Sequence, residues 1–174
     1  MAECKQAVLV EKETAHRDCL TGCYDKMTIQ YLVDLCFLKS DVRQSHAMFV
    51  IDVDNFKRVN DTWGHLAGDR LLRDFASLLR ETMPPAAKLY RYGGDEFIAA
   101  LHEVSLSDVK KCQQKLEQRI ARYNEENEIH LSAAWGHAFF NPETDHGLSE
   151  IVKRADVMLY AMKRAMKQAA ESTS

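Results

Sequence analysis

The sequence lacks any apolar run that approaches the roughly 18–20 residues of a membrane-spanning helix. Its first 13 residues carry too many charges for a secretory signal peptide. Neither an internal repeat nor a low-complexity segment is visible in it. These absences argue against a membrane-spanning or secreted protein, and we expect a soluble chain.

Charge of either sign is not in large excess. The formal net charge is -3 at pH 7 and the sequence pI is about 6.2. A chain of this kind has no global attraction to nucleic acid or to an anionic membrane, so neither is expected as a partner. Any binding of phosphate groups must come from a local cluster of donors.

Cysteine is present in an odd number, with 5 in 174 residues. A chain of this length forms one domain and buries a sizeable core without crosslinks, so we expect reduced thiols in the cytoplasm. His16, Cys19 and Cys23 with the distant Cys4 could form a zinc cluster. Their spacing fits no regular zinc motif, and Cys23 is better explained as a small apolar residue.

The most informative stretch runs from Arg91 to Phe97 and reads Arg-Tyr-Gly-Gly-Asp-Glu-Phe. Two adjacent glycines between β-prone runs predict a tight hairpin turn, because glycine adopts positive φ without steric cost. Asp95 and Glu96 then lie at the tip of this hairpin, beside backbone that a large ligand can approach closely. An ordinary charged turn is the alternative for such a motif standing alone.

A second acidic element follows the apolar run that begins at Phe49. Asp52 and Asp54 come at the end of this run, one residue apart and on one face if the strand continues that far. Carboxylates at a strand end and a hairpin tip suit a magnesium site for nucleotide phosphates.

The remaining pattern predicts a strand, helix, strand, strand, helix, strand order. The strands are expected at residues 47–53, 89–92, 97–101 and 129–140, and Phe56 to Gly64 is expected to be a short helical segment. Longer helices are expected over residues 68–83, after an N-cap at Ser107, and over residues 149–170. The buried positions expected for these helices are Leu71, Leu72, Phe75, Leu78, Leu79, Val109, Cys112, Leu116, Ile120, Ile151, Val152, Ala155, Met158, Leu159 and Met162. The order is that of a ferredoxin-like split arrangement.

The region before the first strand is expected to be helical. Residues 2–14 have the composition of a helix, and residues 18–22 form a polar turn. Asp25 is placed to cap a helix that runs through Tyr31, Leu32, Leu35 and Leu38.

Three separated motifs, in this order, resemble the GGDEF family of diguanylate cyclases. They are the Asp18–Lys26 run Asp-Cys-Leu-Thr-Gly-Cys-Tyr-Asp-Lys, the Asp52–Asp69 run that contains Asp-Asn-Phe-Lys and Trp-Gly-His, and the hairpin motif. The resemblance covers residues 18 to about 167. It implies a mixed α/β (α+β) domain over residues 18–174 with the palm-type cyclase fold, a mostly antiparallel central sheet flanked by helices. Residues 1–17 would then be the tail of a helical linker from an upstream sensory module.

The resemblance also implies the condensation of two GTP molecules into cyclic di-GMP. Asp52 and Asp95 would be the metal carboxylates for Mg²⁺ or Mn²⁺, and the backbone carbonyl of Val53 would be a further ligand. Glu96 would lie near the metals and the attacking hydroxyl, either as a base or in an electrostatic role.

Further residues are assigned to the substrate by the same resemblance. The N–H groups of Asn55 and Phe56, with the ammonium of Lys57, would hold the β- and γ-phosphates, and Asn60 and Asp69 would read guanine. Gly93 and Gly94 would allow close approach of the nucleotide. Lys163 and Lys167 would form a second phosphate clamp, although the family usually has arginine where this chain has Lys167.

A transient homodimer in the cytoplasm, each copy holding one GTP, is therefore expected. The alternative is a catalytically silent member that binds GTP or a protein partner. An enzyme making a mixed cyclic dinucleotide is disfavoured by Asp69, since a carboxylate accepts from guanine N–H groups. The family's Arg-x-x-Asp element for product feedback is absent, because Pro84 and Ala87 stand at those positions.

Overall fold

The computed structural model describes residues 16–29 and 46–172. Four strands are present among them: β1 (Ala47–Val53), β2 (Lys88–Arg91), β3 (Glu96–Leu101) and β4 (Ala133–Phe139). The helices are α1 (Phe56–Trp63), α2 (His65–Thr82), α3 (Leu106–Glu126) and α4 (Leu148–Ser172). The helix expected over residues 2–14, and residues 31–38 of the next one, lie outside the described residues.

The four strands form one sheet in the order β2-β3-β1-β4, and every neighbouring pair is antiparallel. β1 is central, as its nearly continuous apolar sequence predicts for a strand covered on both faces. This order and the connecting helices confirm the expected ferredoxin-like, palm-type arrangement.

Alternation along β1 divides the core into two layers. Phe49 and Ile51 pack with the α2 residues Leu72 and Phe75 on one face of the sheet. On the opposite face, the neighbouring residues of β1 pack against α4. Members of that second layer are Met48, Val50, Ile98, Ala100, Leu148, Ile151 and Ala155. Even-numbered positions of β1 and β3 therefore face α4, which decides where Asp52 and Glu96 point.

Gly136 brings α4 very close to β4. A Cβ atom at this position would lie 2.0 Å from the carbonyl oxygen of Ala155 and 2.5 Å from the amide nitrogen of Leu159. The backbone N–H of Trp135 also donates to the sulfur of Met162 at 3.3 Å. These contacts fix the height of α4 above the sheet.

Most helix boundaries agree with the sequence, with small shifts. Gly64, at φ 85°, separates α1 from α2 as expected, and Asp25 caps the helical residues 26–29 through the N–H of Thr28 at 2.9 Å. The N-cap of α3 is Ser105, so the prediction of Ser107 is wrong. Ser105 forms a capping box with Asp108.

Two other expectations fail for local reasons. β4 begins four residues later than predicted, because the N–H and C=O of Leu131 are bonded to the side chain of Asn124. Met158 was expected to be buried, but it is 44% exposed, at the edge of the α4 face that carries Ile151 and Ala155. Val152, Leu159 and Met162 are only half-buried, as is Ile120 on α3, and the other helix positions expected in the core are buried.

Within residues 16–29 and 46–172, no helix is long and apolar enough to cross a membrane. The same part of the chain holds no group of three or more His, Cys, Asp or Glu side chains arranged for a metal ion. His16, Cys19 and Cys23 form no such group with described residues, and Cys4 lies outside the described residues. Cys23 is 2% exposed and packs in the core, which agrees with a small apolar role.

Candidate functional site

The hairpin between β2 and β3 is closed through the backbone of Glu96. The N–H groups of Tyr92 and Gly93 both donate to its carbonyl oxygen, at 2.8 and 3.2 Å. Neither Gly93 nor Gly94 has a positive φ, so the reason given above for the glycine pair is wrong. A Cβ on Gly93 would lie 2.4 Å from Oε2 of Glu96, whereas one on Gly94 would meet nothing within 4 Å. Gly93 makes room for the glutamate, and Gly94 leaves open space beside the tip.

Arg91 holds the hairpin tip in place, a role that the sequence reasoning missed. Its Nη2 donates to the carbonyl oxygen of Gly94 at 2.8 Å, and its Nη1 donates to both carboxylate oxygens of Asp18 at 3.1 Å. Asp18 also accepts from the N–H and the hydroxyl of Thr21, at 2.8 and 2.7 Å. The sequence did contain a signal for this contact, because Arg91 belongs to one motif and Asp18, an acid without an assigned role, belongs to another.

Asp52, Asp95 and Glu96 meet at one end of the sheet, as expected. Asp52 on β1 lies directly opposite Glu96 on β3, and the N–H of Val53 donates to the carbonyl oxygen of Asp95 at 3.0 Å. Because even-numbered residues of both strands face α4, the carboxylates of Asp52 and Glu96 project to the same side.

Helix α4 places one cation and one further acid over this pair. Nζ of Lys163 lies 2.6 Å from Oδ1 of Asp52, and the side chains are 35% and 18% exposed. Partial burial raises the pKa of Glu96, and the negative charges of Asp52, Asp95 and Asp156 raise it further against the opposing effect of Lys163. Burial also raises the pKa of Asp156, an α4 residue that the sequence reasoning did not consider.

Asp54 lies beyond the end of β1 and fastens it to the segment before β4. Its N–H donates to the carbonyl oxygen of Ser132 at 2.8 Å, and the hydroxyl of Ser132 donates to its carboxylate at 3.2 Å. Burial raises the pKa of Asp54, and the charge of Asp52 adds to this, while Lys163 and the Ser132 hydroxyl lower it.

The start of α1 presents backbone donors next to these acids. Asn55 is in the left-handed conformation, at φ 58° and ψ 19°, and its side chain makes no capping hydrogen bond. The first N–H group of α1 with an intrahelical acceptor is that of Val59, which donates to the carbonyl oxygen of Asn55 at 3.1 Å. The N–H groups before it have no acceptor within the helix. The first turn contains no acidic residue, and Lys57 is exposed. Such a turn is suited to an anion.

Asn60 and Gly68 mark a close contact between α1 and α2. A Cβ on Gly68 would lie 2.0 Å from Oδ1 of Asn60 and 3.0 Å from the ring of Phe56. Within the described part of the chain, Oδ1 of Asn60 is buried and has no hydrogen-bond partner. Asp69 follows directly after Gly68, so the two residues assigned to guanine are neighbours in space. A buried acceptor without a partner is costly unless a ligand supplies a donor.

Comparison with known proteins agrees with this arrangement. The family described as "Diguanylate cyclase, GGDEF domain" matches residues 15–169. The chain belongs to the GGDEF family. Membership of this family accounts for the presence of all three motifs, at Asp18, Asp52 and Gly93, in one chain.

Two curated relatives and two solved structures illustrate the similarity. The diguanylate cyclase DosC of Escherichia coli K12 is 34% identical over 122 residues, which is 68% of this chain and 26% of that protein. DgcN of the same strain is 41% identical over 106 residues, or 60% of this chain and 26% of that protein. The GGDEF chain therefore spans about a quarter of the length of these relatives.

The solved structures are similar over most of the chain. The GGDEF domain of DgcB from Caulobacter crescentus, in complex with c-di-GMP, superposes with a TM-score of 0.75 at 28% identity, covering 86% of this chain and 90% of that one. SiaD from Pseudomonas aeruginosa, in complex with its activator SiaC, superposes with a TM-score of 0.77 at 28% identity, covering 92% of this chain and 63% of that one.

Lys167 stands apart from the other site residues predicted in this GGDEF domain. Its side chain is 79% exposed, and its ammonium lies 3.9 Å from the carboxylate of Glu171 on the same helix. Among the described ion pairs, none joins Lys167 to the acids at the sheet end. Lys163, one turn earlier, does reach them.

The donor set at the sheet end is suited to a hard divalent cation that is not fully enclosed by protein. Asp52 and Asp95 provide two carboxylates, and partial burial together with their negative charges raises the pKa of the neighbouring Glu96. Mg²⁺ is commonly held by one or two carboxylates together with substrate phosphates and water. A set with too few side chains for a complete cage is therefore compatible with a metal that arrives with a nucleotide.

Proposed function

We propose that this GGDEF domain is a magnesium-dependent diguanylate cyclase that condenses two GTP molecules into cyclic di-GMP as a homodimer. The observation that carries the proposal is the pairing of Asp52 with Glu96 across β1 and β3, with Lys163 bound to Asp52. Asp95 adjoins them through the N–H of Val53. A metal-binding acid, a second acid and a cation are thus grouped where a triphosphate can be held.

The reaction requires the 3′-oxygen of each GTP to attack the α-phosphorus of the other. In each step a new P–O ester bond forms, the bond from that phosphorus to the β-phosphate breaks, and pyrophosphate leaves with its electron pair. Negative charge grows on phosphate oxygens, so alignment and charge stabilisation supply most of the catalysis.

Each part of the site has a role in this chemistry. The N–H groups of Asn55 and Phe56 and the ammonium of Lys57 hold the β- and γ-phosphates, and Lys163 adds positive charge on the other side of Asp52. Glu96 accepts the proton of the attacking hydroxyl or stabilises the nearby charge.

Asp52, Asp95 and the carbonyl of Val53 would hold Mg²⁺ or Mn²⁺. When bound, the metal neutralises phosphate charge and lowers the pKa of an oxygen that it contacts. Asn60 and Asp69 select guanine, because a carboxylate and an amide oxygen both accept from N–H groups that adenine lacks on that edge.

One site holds one GTP, whereas the product contains two nucleotides, so a second copy of the domain is required. Because the chain spans about a quarter of its curated relatives, we also propose that an upstream sensory module controls how two copies meet. The cytoplasm, where GTP is available, is the expected location.

A catalytically silent, GTP-binding or protein-binding domain is the second candidate. The position of Lys167, exposed and paired with Glu171, favours it, because one of the two cations expected in the second phosphate clamp is not at the site. Incubation with GTP, with ATP and with both in the presence of Mg²⁺, followed by separation of the products, distinguishes the candidates. Cyclic di-GMP from GTP alone supports the cyclase, and bound GTP without any product supports the silent domain.

A further inference from the structure

An exposed tyrosine on α4 lies between two residues that act on the acids at the sheet end, and it takes no part in the chemistry described so far. Tyr160 on α4 is 65% exposed, which is unusual for a large aromatic side chain in a domain of this size. It comes four residues after Asp156 and three before Lys163, so helical geometry puts all three on adjoining parts of one surface.

Both neighbours of Tyr160 act on the catalytic acids. Lys163 lies 2.6 Å from Asp52, and the charge of Asp156 is felt by Glu96. Tyr160, between them along the helix, is therefore held at the same end of the sheet. Arg164, four residues after Tyr160, is also exposed and adds a second cation on this side. An aromatic ring beside cations is the combination that binds a nucleotide by stacking and charge.

The two layers of the fold decide which nucleotide this ring can meet. The guanine-reading residues Asn60 and Asp69 belong to α1 and α2, and α2 packs on the face of the sheet opposite to α4. A GTP bound by this copy therefore has its base on the α2 side and its phosphates at the end of β1. Tyr160 lies on the α4 side, away from that base. The other GTP must bring its 3′-oxygen to the first one's α-phosphorus, so it approaches from the side left open.

We propose that Tyr160 stacks on the guanosine part of the GTP held by the second copy of the domain, and so positions the attacking 3′-hydroxyl. The inference rests on the proposed cyclase function and adds a contact in trans to it. Each copy would then bind its own GTP through Asn60 and Asp69 and orient its partner's GTP through Tyr160.

The test compares turnover with binding by a single copy. Tyr160→Leu removes the ring, Tyr160→Phe keeps it, and Met158→Leu is the control because Met158 is exposed on another side of α4. Cyclic di-GMP formation is measured for the full 174-residue chain at a protein concentration that gives the maximal rate per enzyme. Affinity for 3′-deoxy-GTP, which lacks the attacking hydroxyl, is measured on dilute protein.

Loss of one base–aromatic stack should lower the turnover of Tyr160→Leu by about tenfold or more, with Tyr160→Phe and Met158→Leu near the unchanged chain. The affinity of dilute protein for 3′-deoxy-GTP should stay the same in all variants. Unchanged turnover in Tyr160→Leu overturns the inference and leaves the cyclase function standing. A parallel loss of 3′-deoxy-GTP affinity also overturns it, because Tyr160 would then contact the nucleotide of its own copy. If the unchanged chain makes no product, the proposed function fails and this inference fails with it.

Discussion

Arg91 binds Asp18 and Gly94 at the same time, and it thereby ties the beginning of the domain to the tip of the signature hairpin. Two residues that are 73 positions apart share hydrogen bonds of 3.1 Å, and the carbonyl oxygen of Gly94 accepts from the other nitrogen at 2.8 Å. Side-chain exposure is only 17% for Arg91 and 20% for Asp18, so solvent screens the pair weakly. The connection ends on Gly94, the residue directly before Asp95 and Glu96.

Arg91→Lys should lower the free energy of unfolding by about 2 kcal/mol, because lysine cannot reach both acceptors with a planar fork. Urea unfolding followed by circular dichroism measures the change. Arg122→Lys is the matched control: Arg122 pairs with Glu126, and both side chains are more than half exposed. Its loss should stay below about 0.5 kcal/mol. Equal effects of the two substitutions would mean that the connection to Asp18 contributes little.

Acid stability should depend on Asp18. Burial raises the pKa of its carboxyl, but hydrogen bonds from Thr21 and Arg91 outweigh burial and hold the pKa below the ordinary value of 3.8. Asp18 therefore adds stability that is present above the unfolded-state pKa and is lost as the pH falls from about 4 towards the lower folded-state pKa. The unfolding free energy of Asp18→Asn, measured from pH 6 to pH 2.5 in urea, should fall less steeply below about pH 4 than that of the unchanged chain. Parallel curves would contradict this assignment.

Much of the fold could be predicted because it follows from short-range patterns. The apolar run of β1 predicts a strand that is buried on both faces. The helical spacing of Leu71, Leu72 and Phe75 predicts the buried face of α2. Contacts between distant side chains could not be predicted in the same way. The side chain of Asn124 binds the backbone of Leu131, so Leu131 does not join β4. No residue near Leu131 in the sequence indicates this contact.

The candidate site shows the same division. Asp52 and Glu96 were expected to meet, and the register of β1 and β3 pairs them. The contact of Lys163 with Asp52 depends on the close packing of α4 on Gly136. Helix periodicity in the sequence cannot predict this packing. The same packing sets Asp156 near Glu96, so this acid was missed.

The rate per enzyme should rise with protein concentration until dimers are saturated. Each domain is proposed to hold one GTP, and a product with two nucleotides therefore needs two copies to meet. Initial rates over a wide dilution series, with the dimer fraction followed by light scattering, measure this. A rate per enzyme that stays flat, with no dimer detected, would contradict a mechanism that uses two sites.

Feedback inhibition by cyclic di-GMP should be weak and competitive with GTP. Pro84 and Ala87 replace the arginine and aspartate expected of a separate product site, and neither side chain can form a charge-assisted hydrogen bond. A pocket of 280 Å³ lies beside this segment, lined in part by Arg17 and Arg80. Their guanidinium groups already donate to the backbone carbonyls of Gly22 and Thr21.

Titration of cyclic di-GMP into Asp69→Ala separates the two possible modes of feedback. This change should weaken binding at the active site and spare any other site. Tight binding that survives it, with inhibition that GTP does not relieve, would reveal a second product site.

The most direct test of the central claim is cyclic di-GMP formation from GTP and Mg²⁺ by the unchanged chain, by Asp52→Asn and by Asp95→Asn. Glu143→Gln serves as the control, since Glu143 lies in an exposed loop. The two aspartates are expected to repel each other when no metal is bound, and relief of this repulsion offsets the ion pair with Lys163 that Asp52→Asn loses. The thermal unfolding midpoint of both variants should therefore stay near that of the unchanged chain. The account predicts product from the unchanged chain and from Glu143→Gln, and none from the two aspartate variants. Substantial turnover by either aspartate variant at saturating Mg²⁺ would contradict it.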